Sequence, residues 1–459
     1  MKKIINTIVG KLISKYRNDI VYYSEKVEKE NEKNRIEFII RNIPLVGDRL
    51  KVDNGLIITH PNNVVIGSNV KLGNNAYFDT IGGLIIGDNV SIGANVTVST
   101  SMPNFNGALP HDKKFITNSV IIQKNVIIGM NVNIAPGITI GEGAIISSGI
   151  SVIKDVPSLA IVESQSYHNL KLRDSFQYNL LKEKQIYADS DGKLFELNNL
   201  SKLSGSDLGG KLFFIVSTGR SGTTSLASIL SQNPNINCRH EISNQLIKIS
   251  TEYAHNRISR KRVLETIRGI YDNRVFDAYE LLGESNQKLS NLIPLIHEAL
   301  PQAKFIWLIR DGKKVVDSTY ARGWYKNEIE DQDMYRDLEL LDWDNYRLLG
   351  YKTNDFELEE WSKMSDFEKN CWYWVKWNSI IERDFQNLPK NQKLFIKLEE
   401  INEGINKMSN FLEIDDFVFK ITKNNKAKHT LKGSENWSDV EIEQFETICG
   451  EFYRRYYDN

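Results

Sequence analysis

The 459-residue chain has little cysteine, proline or methionine: 3, 10 and 6 residues respectively. Cys238, Cys371 and Cys449 are widely spaced and odd in number, which excludes a disulfide framework and the paired spacings of a zinc site. Such a chain suits a reducing cytosol. Long hydrophobic runs are missing too. No apolar stretch approaches ~18 residues, so no transmembrane anchor is expected, and no signal-peptide cleavage pattern follows the start. A cytoplasmic location is the expectation. The net charge is −1, which gives no bulk pull toward nucleic acid.

What is present is ordinary globular material, 41% hydrophobic and 25% charged, long enough for two or three domains. Its first half is repetitive. Aliphatic or aromatic residues recur every six positions at Ile66, Leu72 and Phe78, and then, after a shift at Gly82-Gly83, at Ile86, Ile92 and Val98. The register resumes at Ile122, Ile128, Ile134, Ile140, Ile146 and Val152. A second apolar series includes Val70, Val90, Val96, Val126, Val132 and Ile138. Neither a helical period of 3.6 nor a strand period of 2 explains this. A three-sided solenoid does, with one hexapeptide per side, Gly or Asn at the corners, and about four coils in all.

The repeat resembles the left-handed parallel β-helix of the hexapeptide acyltransferases, over roughly residues 60–165. The resemblance implies a homotrimer with sites between subunits. It also implies acetyl-CoA as acyl donor and a general-base His on a loop thrown out of the coil. The interruption from Ser99 to Ser119 is such a loop, and His111 in Pro110-His111-Asp112 occupies the matching place. The alternative is a solvated His on a coil that serves only as a trimerising scaffold. Ahead of the solenoid, Ile4, Ile5, Ile8, Val9, Leu12, Ile13 and Tyr16 share one helical face, flanked by Lys and Arg. Residues 1–17 therefore either contact a membrane surface, placing the protein at the inner membrane face, or cap the open end of the solenoid.

Two segments of the second half carry chemistry. Phe213-Phe214-Ile215-Val216 reads as a buried strand, and Ser217-Thr218-Gly219-Arg220-Ser221-Gly222-Thr223-Thr224-Ser225 as a turn running into a helix. That arrangement aims backbone N–H groups and hydroxyls at an anion, with Arg220 adding a fixed positive fork. It is not a Walker A loop, since no Lys precedes the final Ser or Thr. Later, Phe305-Ile306-Trp307-Leu308-Ile309 reads as a strand ending in Arg310, with Ser318 about two helical turns on. Two anion sites at strand ends suit a nucleotide phosphorylated at two places.

These residues resemble the sulfotransferases that use 3′-phosphoadenosine-5′-phosphosulfate (PAPS), over about residues 210–455. The resemblance assigns Thr218 to Ser225 to the 5′-phosphosulfate, with Thr218, Gly219, Arg220, Ser221, Gly222, Thr223, Thr224 and Ser225 as binding residues. It assigns Arg310 and Ser318 to the 3′-phosphate. Lys432 and Gly433 match the basic loop that folds over that phosphate. Glu241, with His240 second, matches the position of the general base; the alternative is that both are surface loop residues. Gly283-Glu284-Ser285-Asn286 corresponds to a polar substrate-lining segment. Trp324 and Tyr325 line a sugar pocket or belong to the core, and Trp372, Trp374 and Trp377 read as core. No metal is implied.

The expected fold is therefore multidomain, a left-handed parallel β-helix followed by an α/β, P-loop-like sulfotransferase domain on a central parallel sheet. The expected boundaries are an N-terminal helical segment over 1–45, the β-helix over 46–165, a helix and hairpin linker over 166–209, and the sulfotransferase domain over 210–459. Separate cores joined through a flexible Ser204–Gly210 connection are expected. The expected function is bifunctional: sulfuryl transfer from PAPS to a glycan hydroxyl, and acetyl transfer to a related acceptor. The acceptor classes are surface polysaccharide, lipopolysaccharide or a nucleotide sugar. The competing readings are a sulfotransferase on an inert scaffold and a non-catalytic nucleotide-binding assembly protein.

Overall fold

A computed structural model describes residues 30–104, 115–163, 171–184, 186–189, 194–195, 212–271, 281–326, 346–414, 418–420 and 431–458. The first half is a three-sided parallel β-helix. One side stacks Leu45–Val46, Val64–Ile66, Leu84–Ile86, Val120–Ile122 and Thr139–Ile140. The second includes Lys51–Val52, Lys71–Leu72, Ser91–Ile92, Ile127–Ile128 and Ile145–Ile146, and the third runs from Ile57–Ile58 to Ser151–Val152. Five full coils result, one more than the repeat count predicts. The extra coil is the first, at residues 45–58, where Val46, Val52 and Ile58 keep the six-residue step; Gly47 follows Val46 as Gly67 follows Ile66, but Asp53 stands after Val52 where Gly73 follows Leu72.

Each inward aliphatic sits on its equivalent one coil away: Ile66 pairs with Ile86, Ile86 with Ile122 and Ile122 with Ile140. Stacking in register leaves the interior dry, and Leu72, Phe78, Ile92, Val98, Ile128 and Val152 are all buried. The corners belong to asparagine. Asn69, Asn89 and Asn125 adopt φ of 56°, 56° and 60°, a left-handed conformation that Asn tolerates better than other side chains. Their amides form a ladder, Asn69 Nδ2 to Asn89 Oδ1 at 2.9 Å and Asn89 Nδ2 to Asn125 Oδ1 at 3.0 Å. The repeat glycines do something else. A Cβ on Gly73 would lie 2.5 Å from the Gly93 carbonyl carbon, so glycine is what lets adjacent coils approach.

A helix over residues 30–41 closes the N-terminal end, placing Ile39 and Ile43 in the coil core. Arg35 Nη1 donates to the Leu56 carbonyl at 2.6 Å, and Glu32 accepts from Gly55 N–H at 2.7 Å. Residues 1–17, for which membrane contact or capping is expected, lie outside the described residues. At the far end, helix Ser175–Glu183 returns to the coil and Tyr178 Oη joins Asn125 and Glu142.

The second domain is a five-stranded, all-parallel sheet in the order Ile236–His240, Leu281–Ser285, Leu212–Ser217, Lys304–Ile309 and Lys393–Lys397. The central strand is buried throughout, as its unbroken apolar run requires. Its residues alternate: Phe213 and Ile215 face helices Thr223–Leu230 and Ile401–Leu412, while Leu212, Phe214 and Val216 face the larger helical layer. Trp372, Trp374 and Trp377 on helix Asp366–Gln386 are buried, as expected for core.

The expectation of separate cores needs correction. The coil interior is a core of its own, but the outward residues Leu45, Val65, Ile85 and Ile121 belong to the apolar cluster of the second domain. They share it with Leu246 and Ile249 of helix Asn244–Ala254 and with Val263, Ile267 and Ile270 of helix Arg260–Tyr271. A Cβ on Gly269 would lie 3.1 Å from the Ile85 side chain, so backbone and coil nearly touch. The Ser204–Gly210 connection lies outside the described residues; the contact across the flat face is what joins the domains.

Phe78 is fully buried in the coil interior. Phe78→Ala should cost ~3–5 kcal/mol, as expected for emptying a site that close-packed neighbours cannot collapse into, measured as a lowered urea midpoint.

Candidate active site

The central strand Leu212–Ser217 runs into the loop Thr218 to Gly222 and then into helix Thr223–Leu230. Two loop residues are left-handed, Arg220 at φ 68° and Gly222 at φ 82°. At Gly222, the N-cap, a Cβ would also meet Leu398 at 3.0 Å. Such reversals turn successive amides toward one point, and the amides of a helix's first turn have no acceptor within the helix. The Thr218 and Ser221 hydroxyls, both buried, hydrogen-bond each other at 2.7 Å. Thr223 is buried, Ser225 half-buried and Thr224 exposed. The loop is thus a concavity built to receive an anion.

Strand Lys304–Ile309 lies alongside and ends at Arg310. Asp311 caps the following helix, Gly312–Tyr320, accepting from Lys313 N–H at 2.9 Å. The two anion sites expected at separate strand ends form one continuous cluster. Arg310 Nη1 donates to the Arg220 carbonyl at 2.5 Å, and Arg220 Nε donates to Ser318 Oγ at 3.2 Å. Burial, with Arg322 and Arg310 nearby, lowers the Arg220 pKa from its ordinary value. A desolvated cationic group of this kind gains most from an anion. Gly433 reaches the same helix, its N–H donating to Asp317 Oδ2 at 3.1 Å, whereas Lys432 pairs with Glu441 at 2.6 Å. His111 lies outside the described residues.

His240 ends the edge strand and Glu241 follows in the left-handed region at φ 56°. Their side chains are only 24% and 17% exposed, so neither is a surface loop residue. Among the described residues the buried His240 Nδ1 has no hydrogen-bond partner, and it stands 3.7 Å from Glu241 Oε1. Burial pushes the His240 pKa down. The Glu241 carboxyl is pushed up to about 7, first by burial and then by the neighbouring Glu284 carboxylate, against a hydrogen bond from Gln287 and the charge of Lys288. Glu284 is fully buried and accepts from Tyr271 Oη and from Asn286 Nδ2. The segment Gly283 to Asn286, expected to line a substrate, is interior instead: Glu284, Ser285 and Asn286 are each at most 1% exposed.

Sequence reasoning missed two residues that complete the site. Tyr373, on helix Asp366–Gln386, accepts from Gly219 N–H and donates to Gln287 Oε1, both at 2.9 Å. Gln287 in turn bonds Glu241. A chain of hydrogen bonds therefore runs from the anion loop to the buried carboxyl. Gln287 directly follows the Gly283–Asn286 segment and was within reach of sequence reasoning, while Tyr373 lies in another helix with no local signal. Trp324 flanks the same loop, edge-on to Tyr373 with ring centroids 5.2 Å apart, and carries Arg347 over its face at 3.8 Å. Tyr325 is core, its hydroxyl donating to the Leu348 carbonyl at 3.1 Å.

The family model described as "Sulfotransferase domain" matches residues 211–450. The chain belongs to the sulfotransferase family. A second family model, "Hexapeptide repeat of succinyl-transferase", matches residues 63–100 and 119–154 of this sulfotransferase. No curated protein matches it. Among solved structures, a maltose O-acetyltransferase from Clostridium difficile 630 is similar at 27% identity, over 31% of this chain and 76% of that one, with a TM-score of 0.28. A hexapeptide-repeat acetyltransferase from Vibrio cholerae in complex with acetyl coenzyme A is similar at 23% identity, over 31% and 79%, with a TM-score of 0.29. AntD, an N-acyltransferase from Bacillus cereus in complex with dTDP and 3-hydroxybutyryl-CoA, is similar at 20% identity, over 33% and 94%, with a TM-score of 0.27. Among the described residues no group of His, Cys, Asp and Glu is arranged to hold a metal, and no helix is long and apolar enough to cross a membrane.

Tyr373→Phe strands the buried Gly219 N–H and opens the chain to Gln287. It should destabilise the sulfotransferase by ~1–3 kcal/mol, read as a lower thermal midpoint.

Proposed function

We propose that this sulfotransferase takes PAPS as sulfuryl donor and a glycan hydroxyl as acceptor, with Glu241 as general base. The observation that supports this best is the chain from Gly219 through Tyr373 and Gln287 to Glu241, which ties the anion loop to a carboxyl of raised pKa. Sulfuryl transfer needs an in-line acceptor oxygen, a base for its proton, and donors for charge developing on the leaving phosphate. In this reading Thr218 to Ser225 hold the 5′-phosphosulfate and Arg220 stabilises the leaving group. Arg310 and Ser318 hold the 3′-phosphate, assisted by the loop at Lys432 and Gly433. His240, neutral and beside Glu241, is the second base candidate. Surface polysaccharide, lipopolysaccharide and nucleotide sugars are the acceptor classes to screen.

The β-helix adds a second proposed activity, acetyl transfer from acetyl-CoA with His111 as base, in a trimer built through the solenoid. The hexapeptide-repeat match supports it. Incubating glycan fragments with PAPS and acetyl-CoA and weighing the products tests both reactions. Acetylated product lost in His111→Ala with sulfation retained would establish the pair. Equal acetylation by both proteins would reduce the solenoid to a scaffold, and a monomeric mass by light scattering would count against the trimer. If PAPS does not turn over at all, the non-catalytic reading takes its place.

Arg310→Ala should weaken binding of 3′-phosphoadenosine-5′-phosphate roughly ten- to hundredfold, the value of one charge-assisted contact of ~1.5–3 kcal/mol. Calorimetric titration reads this directly, and unchanged affinity would remove Arg310 from the nucleotide site. Loss of Arg220 should cost turnover as well as affinity, by ~10²–10³ in rate.

A Glu held at about pKa 7 is mostly ionised only above that pH and mostly protonated below it. As the active base is the carboxylate, turnover should fall as pH drops through about 7 rather than through the ordinary carboxyl range. Glu241→Gln should abolish turnover while leaving nucleotide affinity intact. A pH–rate profile with no acid limb near 7 would argue against Glu241 as base.

A further inference from the structure

The segment carrying Glu241 is held on both sides by the solenoid. Two residues before it, Arg239 Nη1 donates to the Pro44 carbonyl at 2.9 Å. Four residues after it, Gln245 Nε2 donates to the carbonyls of Asn63 at 3.0 Å and Leu84 at 3.3 Å. Gln245 is 4% exposed and its Oε1 has no hydrogen-bond partner among the described residues, so what holds this side chain in the interior is what its amide hydrogens reach. The coil is shaped to admit it: a Cβ on Gly83 would lie 2.8 Å from Gln245 Cγ, and Gly83 has φ +101°. Between these clamps Ile242 joins the cluster containing Leu45 and Val65. Further along the same helix Lys248 Nζ donates to the Thr117 carbonyl at 2.7 Å.

Within its own domain the segment is an edge. Among the described residues, strand Ile236–His240 has a neighbouring strand on one side only, and Glu241 adopts a left-handed backbone that costs free energy for a residue other than glycine. An edge strand with a strained terminal residue needs support from outside the sheet. The solenoid provides it at Pro44, Asn63 and Leu84.

We infer that the β-helix is the platform that positions the base of the sulfotransferase, and that Gln245 is the positioning residue, acting through the Asn63 and Leu84 carbonyls. The inference rests on Glu241 as the general base. It gives the solenoid a role that requires neither acetyl transfer nor trimerisation.

The test uses the full chain and the variant Gln245→Met, which keeps volume and removes the donors. PAPS hydrolysis is the assay, with water standing in for the acceptor hydroxyl. Turnover should fall by up to ~10²-fold, as for a catalytic group misplaced by about an ångström. Affinity for 3′-phosphoadenosine-5′-phosphate should stay within about twofold, since the anion loop is untouched. The acid limb should also move down from near 7, because loosening the segment admits water to Glu241. Amide exchange read by mass spectrometry should rise in the peptide spanning residues 239–243 and stay unchanged across 218–226. Arg239→Met, at an exposed side chain, should show the same changes more weakly and serves if Gln245→Met does not fold. Unchanged turnover, acid limb and exchange would overturn the inference. So would turnover and nucleotide affinity falling together with faster exchange everywhere, which marks general destabilisation. Glu241→Gln separates the two readings: if it hydrolyses PAPS like wild type, the base assignment fails. If only Gln245→Met behaves like wild type, the positioning role alone fails.

Discussion

Everything downstream depends on apolar packing between one flat side of the β-helix and two helices of the sulfotransferase domain. A side of such a coil offers outward residues at every second position, and on this side Leu45, Val65, Ile85 and Ile121 are all aliphatic. Burying each contributes ~1.5–3 kcal/mol. The polar contacts at the rim are few and placed. Arg262, half-buried and lowered in pKa by that burial, joins Ser119 and Thr139 of the coil, and Glu265 accepts from the Thr139 hydroxyl. Apolar area sets the strength of the contact, while donors such as Gln245 and Arg262 set its register.

Register matters because the edge strand of the sheet faces the coil. A parallel sheet brings its strand ends to one rim, where the loops that bind ligands collect. Here the central strand delivers the anion loop and the edge strand delivers His240 and Glu241. The His240 and Glu241 side chains are largely buried at this rim. Burial and the second carboxylate, Glu284, make ionisation of Glu241 costly, and Gln287 and Lys288 partly offset that cost. Lys288 shows the same environment from the other side, its amine pushed down to about 7 by burial first and Arg347 second. Burial draws both groups toward neutrality while their mutual attraction partly opposes it, which leaves Glu241 in the range a proton-transferring group needs near neutral pH.

Much of this was legible in the sequence because it is local. The six-residue period reports a coil that repeats every eighteen residues or so, and the inward register from Ile66 to Val152 is the register observed. Strand, Gly-rich turn and helix at Leu212–Leu230 follow one another in the chain, so their geometry is written in consecutive residues. The same holds for Arg310 and Ser318, one strand end and one helix. The first coil falls inside the expected bounds of the β-helix but outside the repeat count, because Asp53 and not glycine follows its second inward residue, Val52. The Gly283–Asn286 segment was misplaced because a short polar run does not say which way its strand faces.

The sequence by itself determined the two folds, the loop chemistry and the shortlist of titratable residues, since each depends on short-range pattern. Only the tertiary structure decided that the two anion sites are joined through Arg220, that Tyr373 and Gln287 connect the loop to Glu241, and that the coil holds the segment bearing that carboxyl. The hydrogen bonds Arg220 to Ser318, Gly219 to Tyr373, Tyr373 to Gln287 and Gln245 to Asn63 link residues between 86 and 182 positions apart. Contacts at that range leave no periodicity behind. They exist because helix Asp366–Gln386 and the flat face of the coil pack where the sheet's apolar surfaces require cover. The pKa of Glu241 belongs to the same class, for it is set by the neighbours that folding assembles around the group.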